Sequence, residues 1–317
     1  MNVLVTGATG FLGQAVCEAL AAQPDTHVRG SSRASTSRQG AIPLVAVGDI
    51  SGDTDWSAAL QGIDVVVHVA ARLNLQSDSS PDPLAEYRRT NLQGTLALAQ
   101  QALAACVRRF IFISSLGVNG SSTTGTPFDE SSTPTPDGDY AQSKFEAEEG
   151  LRALVEGTAM DLVIIRPPLI YAAHARRNFP RLLKLVASGA PLPFASLDNR
   201  RSMVALENLA DFIVLCTQHP AAGNQLFLIS DGEDASTAQM VRYLAASMGR
   251  PARLVPVPDG LMRWGAKLLG RESMYTTLCA SLQVDSGKAR RVLGWVPPLT
   301  LEQALTRTGQ AFRQGRS

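Results

Sequence analysis

The strongest constraint on the fold lies at the amino terminus, where "NVLVT" (2–6) runs directly into "GATGFLG" (7–13). A short apolar run followed at once by three spaced glycines and a helix-forming segment reads as a strand, a tight turn and a helix. Gly7 permits the turn, Gly10 lets backbone approach a pyrophosphate, and Gly13 allows the helix to pack closely on the strand. The first N–H groups of that helix, from Phe11 and Leu12 onward, then face the phosphates. Any turn between strand and helix can use glycines for steric reasons alone. This one follows the first strand of a complete βαβ unit, which favours dinucleotide binding.

Val/Ile-rich runs recur at 27–32, 42–47, 64–70, 109–115 and 161–166, and helix-period segments lie at about 11–22, 54–60, 83–106, 140–156 and 207–218. Continuous apolar strands alternating with helices predict a parallel sheet covered on both faces, a doubly wound α/β fold. After Arg166 the alternation loosens into a basic, proline-containing stretch at 172–203 and a mostly helical carboxyl-terminal part. One late helix is predicted to start at Ser236 or Thr237 and stop at Gly249, and another to run from about 301 to 313 behind Thr300 as N-cap. The expected organisation is a dinucleotide-binding domain over 1–170, to which 204–230 return, and a smaller substrate lobe from 171–203 and 231–317.

A net charge of +1 over 317 residues gives no electrostatic case for a nucleic-acid or membrane partner. Cys17, Cys106, Cys216 and Cys279 are too scattered for a zinc site or a disulfide framework, and His27, His68, His174 and His219 lack metal-ligand spacing. No metal is expected, and His68 reads as a packed core residue. The start of the chain lacks a basic region ahead of its apolar residues, and no apolar run approaches the ~20 needed to span a bilayer. The expected location is the cytoplasm.

A carboxylate about 20 residues past the glycine loop holds the ribose 2′-OH in NAD sites. Here the second strand ends in Ser31, Ser32 and Arg33, with Arg38 beyond. Arg33 suits a 2′-phosphate, so NADP(H) is favoured, with NAD(H) the alternative if Arg33 is merely solvated. Asp49 and Ile50 follow the third strand, where the carboxylate either accepts from an adenine amino group or belongs to a turn.

Tyr140 and Lys144 stand four apart at the start of a helix and share one face. Ser114 and Ser115 end the strand before it, and ligands of open α/β sheets bind beyond the carboxyl ends of strands. A phenol is a poor acid or base at neutral pH unless a positive charge favours its anion; Lys144 supplies that charge, and Ser115 can hold a carbonyl oxygen. Proton transfer accompanying hydride transfer at a carbonyl is the chemistry these residue types fit.

"TGATGFLG", "HVAA" (68–71), "TNLQGT" (90–95), "ISS" (113–115), "YAQSK" (140–144) and "RPPLIY" (166–171) stand in the order and approximate spacing of the extended short-chain dehydrogenases/reductases, and the chain resembles their NAD-dependent epimerase/dehydratase branch over nearly its whole length. The resemblance implies a Rossmann domain, a catalytic Ser115–Tyr140–Lys144 triad, Asn91 ordering the active-site helix, and Ala70, Ala71 and Pro167 bordering the cofactor. It also implies a homodimer through the helices near 83–106 and 140–156. Asn178 and Arg201 fall where nucleotide-sugar enzymes of this branch hold a diphosphate. "SSLGVNG" and "PLPFASLDNRRSMVALENL" resemble a bacterial group that includes UDP-glucose 4-epimerase-like proteins and the 4-reductases forming UDP-N-acetylquinovosamine.

Reduction of a UDP-4-keto-6-deoxy-N-acetylhexosamine, as in surface-polysaccharide sugar synthesis, is the expected activity because Arg33 tilts the reading toward NADPH. A UDP-glucose or UDP-N-acetylglucosamine 4-epimerase is the alternative. Leu116 and Gly117 stand where dehydratases carry an Asp-Glu pair. Further alternatives are a reductase of hydrophobic ketones, which would need no arginine clamp, and a non-catalytic NADP sensor, which would not need the Tyr and Lys.

Overall fold

The computed structural model describes residues 1–34, 38–73, 82–175, 178–270 and 272–315. Strands β1 (Asn2–Thr6), β2 (His27–Ser32), β3 (Arg38–Gln39), β4 (Ile42–Ala46), β5 (Val65–His68), β6 (Arg109–Ile113) and β7 (Asp161–Arg166) are followed by β8 (Leu169–Tyr171), β9 (Arg201–Ala205), β10 (Gln225–Leu228) and β11 (Asp234–Ala235). The main sheet has the order β10-β7-β6-β5-β1-β2-β4-β3; all its pairings are parallel except the terminal β3–β4 pair. A second sheet joins β11, β9 and β8.

The alternation of side chains explains the continuous apolar runs. Val3 and Val5 of β1, Val65 and Val67 of β5, Ile111 and Ile113 of β6 and Val163 and Ile165 of β7 enter one buried layer with Leu12 and Val16 of α1 (Phe11–Ala21) and Phe212 and Ile213 of α7 (Leu206–Gln218). Leu4, Val66, Phe110, Phe112, Leu162 and Ile164 face the other way. They pack under Leu60 of α2 (Ser57–Leu60), Leu98 of α4 (Gly94–Ala104) and Leu151 of α5 (Asp139–Val155). Both faces are thus dry, as a doubly wound parallel sheet requires. The predicted fold class is the observed one.

The segment predicted as one helix over 83–106 is broken into α3 (Pro83–Tyr87), a π-helical turn over Arg88–Gln93, and α4. The wider turn buries Asn91 and brings Gly94 against Ile50, where a Cβ would stand 2.4 Å from Ile50 Cγ2. Apolar periodicity carries no mark of one extra residue per turn, and π-turns concentrate at functional sites.

A third cluster surrounds the small sheet. Phe179, Leu182, Leu183 and Val186 of α6 (Asn178–Ser188) meet Met240, Val241 and Leu244 of α8 (Thr237–Ser247) and Leu301 and Leu305 of α12 (Leu301–Arg313). Ser236 and Thr300 cap α8 and α12, each in a reciprocal box with the glutamine three residues on, and Gly249 lies beyond α8 at φ +67. Asn208 ties these parts to the main sheet by donating to Asp231 Oδ1 at 2.7 Å and to Leu299 O at 2.8 Å; Asp231 also accepts from Tyr171 Oη at 2.7 Å. The remaining helices are α9 (Asp259–Leu268), α10 (Glu272–Cys279) and α11 (Gly287–Leu293).

Candidate active site

The strand order reverses at β1, whose neighbours are β2 on one side and β5 on the other. A crevice therefore opens beyond the carboxyl ends of β1 and β5, where doubly wound sheets bind ligands. Gly7 leaves β1 with φ +65, and a Cβ on it would stand 3.0 Å from Ala70 Cα. A Cβ on Gly13 would fall 2.0 Å from Gly7 O, so α1 rests directly on the turn. A Cβ on Gly10 would meet only Gly7 O, at 3.1 Å, leaving the rest of its surroundings open. An open backbone surface at the start of α1 fits a pyrophosphate.

Below the crevice, Thr6 Oγ1 accepts from Val69 N and Ala70 N, both at 3.1 Å, and bonds His68 Nδ1 at 2.7 Å. Thr95 Oγ1 donates to Asn91 O at 2.7 Å, so its contact with His68 Nε2 at 2.9 Å requires the imidazole to donate there. Nδ1 is then the acceptor for Thr6, and the ring is neutral. Burial, assisted by Lys144, pushes its pKa down to about 3.

Asn91 carries this network to α5. Its side chain accepts from Arg72 N at 2.8 Å and donates to Arg72 O at 3.1 Å and to Ser143 Oγ at 3.0 Å. Ser143 Oγ in turn donates to Tyr140 O at 2.8 Å. The first turn of α5 is held through backbone and hydroxyl contacts, and Tyr140 packs edge-on against Tyr87 with ring centroids 5.9 Å apart.

Lys144 is fully buried, its Nζ 3.9 Å from the centre of the Phe112 ring. Burial pushes the ammonium down to about 7, against the opposing pull of Glu148. Four residues on, Glu148 lies on the same face and is itself fully buried, paired with Arg166 of β7 at 2.5 Å and accepting from Ser114 Oγ. Arg166 Nη1 donates to Asn119 Oδ1 at 2.9 Å. The Tyr-Lys spacing pointed to α5; continuing it by one turn would have found Glu148, but its arginine partner is set only by tertiary packing.

Ser115 follows β6 and accepts from Gly117 N at 3.1 Å. A Cβ on Gly117 would stand 3.3 Å from Ser115 Oγ and 3.4 Å from Ala141 Cβ, which places this loop on the first turn of α5. Leu116 N donates to Pro167 O at 2.9 Å, bringing in the end of β7. Ser115, Asp137, Pro167, Leu169, Arg201 and Thr276 help to line a cavity of about 640 Å³.

Arg201 is buried, and its Nη1 donates to Ala280 O at 2.8 Å. Among the described residues no carboxylate lies within ion-pairing distance of it. Burial pulls its pKa down, against a smaller opposing influence from Cys279. Asn178 opens α6, but its side chain falls outside the described part, as do residues Arg176 and Arg177. Arg33 and Asp49 both stand out in solvent, 4.0 Å apart. Sequence reasoning missed Asp137 and Thr276, which carry no motif and reach the cavity only through the fold.

These features define a Rossmann-type enzyme fold with a polar cavity at the carboxyl ends of β6 and β7. A model of the NAD dependent epimerase/dehydratase family matches residues 3–230, and the chain belongs to that family. It is 42% identical to a UDP-glucose 4-epimerase of Vibrio cholerae over all of this chain and 97% of that one. It is 30% identical to an N-acetyl-alpha-D-glucosaminyl-diphospho-ditrans,octacis-undecaprenol 4-epimerase of Escherichia coli O157:H7, covering 98% and 94%. Among solved structures, a short-chain dehydrogenase/reductase superfamily protein from Agrobacterium tumefaciens with bound NAD superimposes with TM-score 0.79 at 24% identity, covering 100% of this chain and 98% of that one.

Proposed function

We propose that this chain is a nicotinamide-dependent 4-epimerase of a diphosphate-linked hexose, with a UDP-hexose as its first substrate. The observation that carries the diphosphate-sugar reading is Arg201, a buried cation without a carboxylate partner among the described residues, lining the same cavity as Ser115. A diphosphate supplies the missing anion, and an arginine fork grips it with directed bonds. Full-length relatives that act as 4-epimerases move epimerisation ahead of the reduction favoured by Arg33.

Gly7, Gly10 and Gly13 with the start of α1 would hold the pyrophosphate of the dinucleotide, and Ala70, Ala71 and Pro167 would border the cofactor. The chemistry that a bound nicotinamide would supply is acceptance of hydride from sugar C4 and its return. Tyr140 takes the C4 hydroxyl proton and later gives it back. Its phenolate needs a nearby cation, which is the role of Lys144. Ser115 uses its oxygen to accept from Gly117 N, and its own O–H is then the donor that steadies the C4 oxygen. Turning the 4-keto sugar over between the two transfers sets its final configuration, and the cavity of about 640 Å³ falls in the size range of small-molecule sites.

A second reading, a 4-reductase, keeps the same residues and is favoured by Arg33 directly after β2, a cation suited to a 2′-phosphate, which would compete with Asp49, 4.0 Å away, for it. Arg201→Met tests the diphosphate assignment common to both. Loss of a charge-assisted contact predicts a KM for UDP-sugar raised roughly tenfold to a hundredfold. An unchanged KM rejects Arg201 as the anchor.

A further inference from the structure

α9 inverts the ordinary arrangement of an amphipathic helix. Met262, Gly265 and Ala266 turn toward the protein and are half-buried, while Leu261, Trp264 and Leu268 stand 60%, 65% and 71% exposed, with Leu269 just beyond at 71%. Leu261, Trp264 and Leu268 are spaced i, i+3, i+7 and so form one outward apolar stripe. Arg263 and Lys267, four apart, flank it as an exposed basic stripe. Singly exposed apolar residues are ordinary, but four large ones within nine positions form a patch.

Charge gathers at the same place. Residues 250–270 carry Arg250, Arg253, Arg263 and Lys267 against the single anion Asp259, in a chain whose net charge is only +1. Asp259 is already engaged, accepting from Tyr275 Oη of α10 at 2.6 Å. An exposed apolar stripe with a tryptophan, edged by uncompensated cations, has the chemistry of a helix lying in the plane of a membrane surface. At ten residues α9 is far shorter than the ~20 needed to cross a bilayer.

We propose that α9 docks the chain peripherally on an anionic lipid bilayer, with Leu261, Trp264 and Leu268 entering the headgroup boundary and Arg263 and Lys267 meeting lipid phosphates. The Tyr275–Asp259 bond couples α9 to α10, whose Thr276 and Thr277 line the substrate cavity. Docking therefore sets the cavity about one helix diameter from the headgroups. That position extends the proposed substrate class from UDP-hexoses to diphosphate-linked sugars carried on a lipid, a consequence that rests on the catalytic reading while the docking itself does not.

The intrinsic fluorescence of the full chain reports on this face directly, because Trp56 and Trp295 are buried and Trp264 is the one exposed tryptophan of three. Vesicles of phosphatidylglycerol and phosphatidylethanolamine should shift the emission to shorter wavelength and co-sediment the protein, whereas pure phosphatidylcholine vesicles should do neither. Arg263→Gln with Lys267→Gln should weaken binding roughly twenty-fivefold, about fivefold per cation. Leu268→Ser should weaken it with melting temperature and turnover of soluble UDP-sugar unchanged. Absence of a shift with anionic vesicles at low salt overturns the proposal, as does binding that none of these substitutions alters. A shift that follows protein concentration without vesicles also overturns it, since the face then covers a second copy. Vesicle binding with turnover of neither UDP-hexoses nor vesicle-borne lipid-diphosphate hexoses would defeat the catalytic reading and leave docking intact.

Discussion

Helices α5 and α9 depart from the usual burial rule in opposite directions. α5 takes a lysine and a glutamate fully inside, while α9 turns its largest apolar side chains to solvent. On α5 each buried charge is answered by another part of the fold: Lys144 by the Phe112 ring, Glu148 by Arg166 and Ser114. On α9 nothing within the described chain covers the exposed stripe. The comparison teaches that an internally answered exception to burial builds a reaction site, and an unanswered one points outward to something the chain meets.

The largest expected effect falls on α5 chemistry. Tyr140→Phe removes the proton-transfer group and should lower turnover by about 10²- to 10⁴-fold, while dinucleotide affinity measured by titration stays near the wild-type value. Retained turnover would make α5 a structural helix and erase the contrast. Next comes Glu148→Gln, which leaves Arg166 buried beside a neutral amide. Breaking such a pair costs about 3–5 kcal/mol, to be read from the shift in urea midpoint. A shift too small to measure would mean that the pair is not sealed from water.

A smaller, pH-dependent effect belongs to Lys144. Its ammonium titrates near 7 in the fold and at an ordinary 10.5 when unfolded, so between those values the unfolded chain holds more protons. Stability contributed by this group therefore rises with pH across that window, and the penalty of burying the charge is fully felt below pH 7. Lys144→Met should raise the melting temperature of the cofactor-free chain most below pH 7, with the advantage shrinking toward pH 10. An advantage independent of pH would contradict the assignment. The smallest effect is expected for Arg33→Ala, a side chain 84% exposed. If it reads a 2′-phosphate, NADPH affinity falls by about tenfold and NADH affinity is unchanged.

Sequence reached the main sheet because its strands are buried on both faces and read as unbroken apolar runs, as in "DLVIIR" (161–166), which matches β7 residue for residue. The caps Ser236 and Thr300 were legible for a local reason, side-chain bonds to backbone three residues away. The small sheet was not, since β8 and β11 are three and two residues long and are defined by pairing with distant β9. α6 did carry a signal in Phe179, Leu182, Leu183 and Val186, obscured by the arginines and proline around it. At the site, the glycine turn and the Tyr-Lys pair are local patterns, whereas the Glu148–Arg166 pair and the Thr6–His68–Thr95 chain exist only through packing. The whole-chain charge of +1 likewise concealed the basic cluster around α9, because a sum says nothing about placement.

The most direct test of the central claim is the balance of cofactor during turnover. Purified protein offered UDP-glucose, and separately UDP-N-acetylglucosamine, with no dinucleotide beyond a catalytic trace should establish the equilibrium with the C4 epimer, without net change in NADPH or NADH absorbance. No interconversion of either sugar, with stoichiometric loss of NADPH when a UDP-4-keto-6-deoxy-N-acetylhexosamine is supplied, would contradict the epimerase and leave the reductase in its place.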